Sequence, residues 1–333
     1  MKGFKGFDKG LVCRGKQYKE NTVFEEEAAE ICKSGMHFCE NPFDVLDYYD
    51  LVNTDGSFNE FAEVEALDKC LTDDNKKYCT KKLKIGAKLS FSGFVNACIE
   101  FIFEKTKIEE MDEEDSAKIG SSGNYAQIGS SRNYAQIGSS GNSAQIGSSG
   151  NYAKIGSSGD YAKIGSSGDS AKIGSSGDYA KIGSSGDYAK IGSFGNSAKI
   201  GSSGNYAKIG SSGDYAKIGS SGDYAKIGSS GDYAKIGSSG DSAQIGSSGD
   251  SAKITSEGED SVICCAGHNS IVRAKKGSWI TLSEWERSFE KDRWIPKCVK
   301  TKFVDGEIIK ADTFYRLENG KFVEVKEDKQ DGN

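Results

Sequence analysis

No hydrophobic run in this 333-residue chain is long. The best, "FVNACIEFIF", is interrupted by Glu100 and falls short of the roughly 20 apolar residues of a membrane-spanning helix, so no membrane contact is expected. The N-terminal "MKGFKGFDKGLVC" has lysines but lacks the apolar core of a secretory signal. Paired cysteine spacing is missing too. Nine cysteines, an odd number, are scattered, which argues against a disulfide framework and for a reducing compartment. A basic excess is absent, the net charge being −6, and with it the whole-chain signature of nucleic-acid binding. The expectation is a soluble cytoplasmic protein, or a virion component made in the same compartment. Apolar residues are few (36%) and glycines many (43), which by composition alone describes a linker.

Periodicity argues otherwise. Ile stands at 119, 128, 137 and every ninth position to 254, sixteen copies, each with Ala two residues before it. Gly follows every Ile but the last, where Thr255 stands. The unit reads Asp/Asn–Tyr/Ser–Ala–Lys/Gln–Ile–Gly–Ser–Ser–Gly. Ala and Ile share one face of an extended chain, and Tyr and Lys the other. "GSSG" supplies a bend, with the following Asp or Asn in a corner or left-handed position. One unit buries nothing useful alone, whereas stacked copies form continuous Ala and Ile columns: a parallel β-solenoid. At two units per turn it has about eight turns and a length of roughly 38 Å at ~4.8 Å per rung. Ser in place of Tyr at 116, 143, 170 and 197, a spacing of 27, keeps a three-sided coil open. Tyr224 breaks that series, and Ala and Ile are small for a triangle, so two sides are favoured.

The expected architecture is an α+β N-terminal head (1–115), a solenoid (116–276), a β-hairpin region (277–325) and a disordered tail (326–333). In the head, "TVFEEEAAEICKSG" reads as a short helix stopped at Gly35, and "NPFDVLDYYD" as a helix capped by Asn41 with Pro42 at its first position. "FAEVEAL" and "KKLKIGAKLSF" alternate like strands. "SGFVNACIEFIFEKTKIEE" is the strongest helix, with Phe94, Val95, Cys98 and Ile102 on one face. An acidic run ending at Asp115 separates head from repeats. From Thr255 the repeat degenerates, but Ile263 and Val272 keep its register and Gly258 and Gly267 its phase, as capping rungs would. "GSWITLSEWE" reads as a strand, and "FVDGEIIK" and "YRLENGKFVEV" as hairpins around Asp-Gly and Asn-Gly.

Candidate chemistry centres on the repeat. Residues 115–254 carry 12 Lys and 1 Arg against 10 Asp, a net of +3, which leaves −9 elsewhere. The expected partner-binding face is Tyr152, Lys154, Tyr161, Lys163, Tyr179, Lys181, Tyr188, Lys190, Tyr206, Lys208, Tyr215, Lys217, Tyr224, Lys226, Tyr233 and Lys235. Such a face could stack bases and contact phosphates, or meet a protein; the plainer reading is that Lys and Asp columns neutralise each other. Phe194 in place of Ser marks an outward position, and Arg132 in place of Gly marks one where a positive φ is not required. Against the calcium-binding nonapeptide, the acid falls one position early and Lys occupies the apolar slot, so calcium is not expected. Cys32, His37 and Cys39, with Cys13 upstream, are a weak metal candidate whose spacing fits no zinc site; buried structural thiols beside an ordinary His are the plainer reading. A Cys-His nucleophile lacks an orienting acid, and "GSSG" lacks the Lys and helix of a phosphate loop. No active site and no cofactor are expected.

"FKGFDKGLVCRGKQY", "CKSGMHFCENPFDVLDYY" and "VDGEIIKADTFYRLENGKFVEV" resemble an uncharacterised family common in phages and prophages. Its members pair such an N-terminal domain with short Gly/Ala-rich repeats and a similar C-terminal hairpin region. The repeats here depart from it, with Ile and Lys where many members have Ala and Thr. The resemblance implies phage origin and supplies no catalytic residues. The function expected is a non-enzymatic interaction protein whose solenoid binds and blocks a host protein or ribonucleoprotein, such as a CRISPR-type defence nuclease. A structural or adhesive component with the solenoid as rigid spacer is the alternative, and a polyanion or nucleic-acid binder a further one. Exposed strand edges at a poorly capped end leave room for a homodimer.

Overall fold

The computed structural model describes residues 1–51, 59–106 and 117–326. The head begins with β1 (Lys2–Phe7), the short pair β2 (Val12–Cys13) and β3 (Lys16–Gln17), β4 (Thr22–Glu25) and β5 (Met36–Cys39). There follow α1 (Pro42–Val45), β6 (Glu60–Ala66), β7 (Lys77–Thr80), β8 (Lys82–Leu89) and α2 (Phe91–Thr106). Six of the strands form one antiparallel sheet in the order β4-β8-β6-β1-β5-β7. One face carries Phe7, Met36, Phe38, Val64, Leu83 and Ile85. The other meets α2 through Phe43, Leu46, Phe61, Phe94, Cys98 and Ile102.

Asn41 caps α1 as expected, its side chain accepting from Phe43 N at 3.0 Å. The helix expected at "TVFEEEAAEICKSG" is absent. Thr22, Val23 and Phe24 suit a pleated strand and pair with β8. Glu26 is drawn out of any helical first turn by Lys16 Nζ (2.6 Å) and Gly35 N (3.0 Å).

Sixteen strands, β9 to β24, follow at nine-residue steps from Lys118–Ser121 to Lys253–Ser256. Each pairs in parallel, in register, with the strand eighteen residues away, as in Ile191↔Ile209 and Ile200↔Ile218. The solenoid is two-sided, with about nine turns once the strands after Ser256 are included. Three-sided coils are excluded by that register.

Two details differ from the expected unit. Each strand is Lys/Gln-Ile-Gly-Ser, starting at the Lys, and the first Ser of "GSSG" joins Ala and Ile inside. Tyr therefore does not share the strand face with Lys. It sits at the corner, and it, rather than Asp or Asn, takes the left-handed conformation, as at Tyr188 (φ 57°) and Ser197 (φ 56°). Asp and Asn instead form a side-chain ladder, each oxygen accepting the next rung's backbone N–H: Asp178 N to Asp160 Oδ1 at 2.9 Å, Asp223 N to Asn205 Oδ1 at 2.9 Å. An oxygen suffices, so the two residues interchange. The Gly before them is required for close approach, since a Cβ on Gly204 would lie 2.0 Å from Gly186 O. Arg132 takes this position in the first even-numbered rung, where the residue eighteen before it lies outside the described residues.

The stack continues through β25 (Val262–Cys265) and β26 (Ile271–Arg273), with Ile263 and Val272 buried in the column. Antiparallel partners then close both sheets. β27 (Trp279–Ser288) pairs in parallel with β25 and folds back into antiparallel β28 (Arg293–Phe303); β29 (Phe314–Glu318) pairs antiparallel with β26 and turns at Asn319-Gly320 into β30 (Lys321–Val325). The hairpin expected at "FVDGEIIK" is a turn, because Asp305 Oδ1 accepts from Glu307, Ile308 and Ile309 N and curls the chain. The expected tail falls, but for Lys326, outside the described residues.

Candidate functional site

Both sheets are built from one repeated sequence, yet only one of them is bare. The even-numbered strands carry the head, and α2 lies along their glycine column. A Cβ on Gly147 would meet Ile99 and Ile102, on Gly165 Ile99 and Phe43, on Gly183 Val95, and on Gly201 Phe91 and Leu51. The apolar residues of α2 thus step by three or four along the helix for each rung. One helical turn rises 5.4 Å and one rung ~4.8 Å, so the two periods nearly match over four rungs.

Beside that column, "NPFDVLDYYD" reads out the Lys/Gln column three residues at a time. Asn41 Nδ2 donates to Gln145 Oε1 at 3.2 Å. Asp44 and Asp47 share Lys163 at 3.2 and 3.1 Å, and Asp47 also takes Lys181 at 2.7 Å. Asp50 bridges Lys199 and Lys217. A neutral Gln faces the neutral Asn, and cations face the acids. Lys163 and Lys181 are buried, and Lys181 Nζ also reaches Leu46 O at 2.9 Å. Burial works against ionised Asp47 and Asp50, but their two lysines each outweigh it and hold both carboxyls below the usual range.

The odd-numbered strands present the same columns uncovered. Lys154, Lys172, Lys190, Lys208 and Lys226 are exposed, and none forms an ion pair among the described residues. Like charges a rung apart repel by roughly 0.9 kcal/mol in water. Beside them Gly156, Gly174, Gly192, Gly210 and Gly228 form a floor on which an added Cβ would touch nothing within 4 Å. The result is a shallow groove of about 1630 Å³ from Lys118 to Cys264. Phe194 stands at its rim, 75% exposed, as the outward reading of that position requires. Stacked tyrosines mark the corner leading into this sheet, with Tyr188, Tyr206 and Tyr224 rings 5.0 Å apart.

The expected face therefore divides. Lys154, Lys190, Lys208 and Lys226, with Tyr152, Tyr188, Tyr206 and Tyr224 at the preceding corner, belong to the open sheet. Lys163, Lys181 and Lys217 are consumed by the head, and Lys235 lies on the same sheet. Tyr161 and Tyr179 stack at 5.0 Å, as do Tyr215 and Tyr233, at the opposite corner. Lys172 and the glycine floor were missed; pairing each Lys with a Tyr dropped Lys172, although its nine-residue phase was visible. No Lys–Asp ion pair forms within the repeat among the described residues, where the Asp Oδ1 atoms serve the backbone ladder.

Each member of the thiol–imidazole cluster has its own contacts. His37 Nε2 accepts from Cys32 N at 3.1 Å, Cys32 Sγ accepts from Lys77 at 3.0 Å, and burial pushes the Cys39 thiol up to about 12. No group of three ligating side chains occurs among the described residues. Cys265 lies in the solenoid core, while His268 stacks on Trp294 at 4.3 Å.

These features define a two-sided parallel β-solenoid that carries a small α/β domain on one of its sheets. Residues 1–97, nearly the whole described head, match the family of the domain of unknown function DUF7666. No curated protein and no solved structure matches the chain. No helix among the described residues is long and apolar enough to cross a membrane.

Proposed function

We propose that the chain is a non-catalytic interaction protein whose open sheet docks a protein partner through an acidic amphipathic helix. The observation that carries this reading is internal: the head docks on the equivalent sheet with the apolar face of α2 over glycine and, from the separate segment of residues 41–50, an acid every third residue over lysine. The open sheet repeats the receptor half of that joint with its lysines unneutralised. A host protein or ribonucleoprotein exposing such a helix, including a defence nuclease of a phage's host, is a partner of this class.

The test uses the full chain and a designed helical peptide with apolar residues every three or four positions and flanking aspartates. The peptide should bind, and charge reversal of Lys172, Lys190 and Lys208 to Glu should abolish binding while leaving the fold intact. No binding by the peptide sinks the proposal. Tight, steeply salt-dependent binding of a single-stranded oligonucleotide instead would move the assignment to polyanions. A second reading, a rigid spacer, rests on the unbroken register of the rungs. It requires that one turn of eighteen residues can be deleted, and the charges reversed, without consequence.

A further inference from the structure

A cavity of about 370 Å³ opens in the head, and Val45, Tyr48 and Tyr49 of the segment that docks on the solenoid are part of its lining. Its lining is basic and aromatic. Lys5 on β1, Arg14 at the β2–β3 turn and Lys77 at the start of β7 reach it, between walls that include Phe4, Tyr18, Phe38, Tyr48 and Tyr49. The two-residue turn of Arg14 (φ 50°) and Gly15 (φ 75°) is what presents Arg14 at the mouth.

Lys5 is the unusual member. It is 5% exposed, and it forms no ion pair among the described residues. Its Nζ donates to His37 O at 2.9 Å, sits 5.5 Å from the Phe7 ring and 5.6 Å from the Tyr18 ring, and has Cys13 within hydrogen-bond reach. Cys13 Sγ in turn accepts from Tyr49 OH at 2.9 Å. Burial, with Arg14 adding to it, holds the Lys5 ammonium below its ordinary range. A buried ammonium without a counterion is costly, so an anion bound beside it would stabilise its charged form.

The neighbouring acids are engaged elsewhere. Glu26 is the one acid lining the cavity, and it is held by Lys16 at 2.6 Å and by Gly35 N at 3.0 Å. Lys33 at the rim is paired with Glu30 at 2.6 Å. Burial, with the cations Lys5, Arg14 and Lys77, holds the His37 imidazole below its ordinary range. Lys77 lies 4.7 Å from the Tyr48 ring and donates to a thiol rather than to a carboxylate.

We propose that this cavity binds a small planar molecule bearing one phosphate, of mononucleotide size, with Lys5 as the buried anion anchor. Lys5 and Arg14, neither of them in an ion pair among the described residues, together with Lys77 suit a dianion better than a monoanion. The aromatic walls suit a flat ring, and the volume lies at the low end of ligand pockets, roughly 300–1,000 Å³. The site is independent of the open sheet, so failure of the docking proposal leaves it standing.

Calorimetry on the full chain with adenosine 5′-monophosphate, inorganic phosphate and adenosine tests it. The monophosphate should bind, phosphate more weakly, and adenosine least. Lys5→Met, an apolar replacement of similar length, should weaken the monophosphate by roughly ten-fold or more, and the exposed Arg14→Gln by several-fold. The proposal is overturned if the monophosphate does not bind, if adenosine binds as well, or if Lys5→Met leaves affinity unchanged. Should Lys5→Met not fold, unchanged affinity in Arg14→Gln overturns it equally.

Discussion

The docked and open sheets of the solenoid share one repeat sequence and differ in their neighbours. On the docked sheet Lys163 and Lys181 are buried and paired; on the open sheet Lys172 and Lys190 are exposed and form no ion pair among the described residues. The difference teaches that a tandem repeat sets the geometry of a surface but not its chemistry. The chemistry depends on what covers it.

The strongest way to break the comparison is to take away the acid that holds two buried lysines. Asp47→Ala should cost about 2–4 kcal/mol of docking stability, less than a dry ion pair because Asp47 keeps part of its surface in water. Hydrogen exchange at Lys163–Ser166 and Lys181–Ser184 should accelerate, whereas Lys190→Ala on the open sheet should change stability by less than about 0.5 kcal/mol. Equal effects would mean that the joint does not depend on these pairs. A matched glycine pair comes next. Gly201→Ala places a Cβ 2.4 Å from Phe91 Cζ and should cost about 1–3 kcal/mol, while Gly210→Ala meets nothing and should be neutral or slightly stabilising. Chemical denaturation of both variants decides it.

Acid should loosen the docked rungs before the repeat rungs of the open sheet. The Asp47 and Asp50 carboxyls are depressed in the folded state. Their contribution is therefore fully present above the unfolded carboxylate value of about 3.9 and is lost as pH falls from there through the folded values. Exchange protection of the docked strands should decline in that window before protection of the open strands does; parallel decline would contradict the assignment. The smallest effect concerns the interior. Ser202 is buried and its hydroxyl has no partner among the described residues, so Ser202→Ala should raise stability by up to about 1 kcal/mol in thermal melts.

Much of this was legible in the residues. Ala and Ile at fixed phase meant a stacked core, Asn41-Pro42 meant a helix start, and Asn319-Gly320 a tight hairpin. The strand boundary was misplaced by two residues because alternation cannot distinguish a strand from a corner that continues its phase. "TVFEEEAAEICKSG" misled because its acids resemble a helical first turn, while the β-forming Thr-Val-Phe had a partner strand sixty residues on. The acid spacing Asp44, Asp47, Asp50 was in view, but nothing local connects it with lysines more than a hundred residues away.

The sequence by itself determined the rod, its pitch, its interior and the columns of lysine and glycine on both sheets, because a nine-residue period repeats every local choice identically. Only the tertiary structure decided which sheet is spent and which is free. Docking depends on a single non-repeated head meeting the rungs at matching spacing, and no periodic signal carries that information.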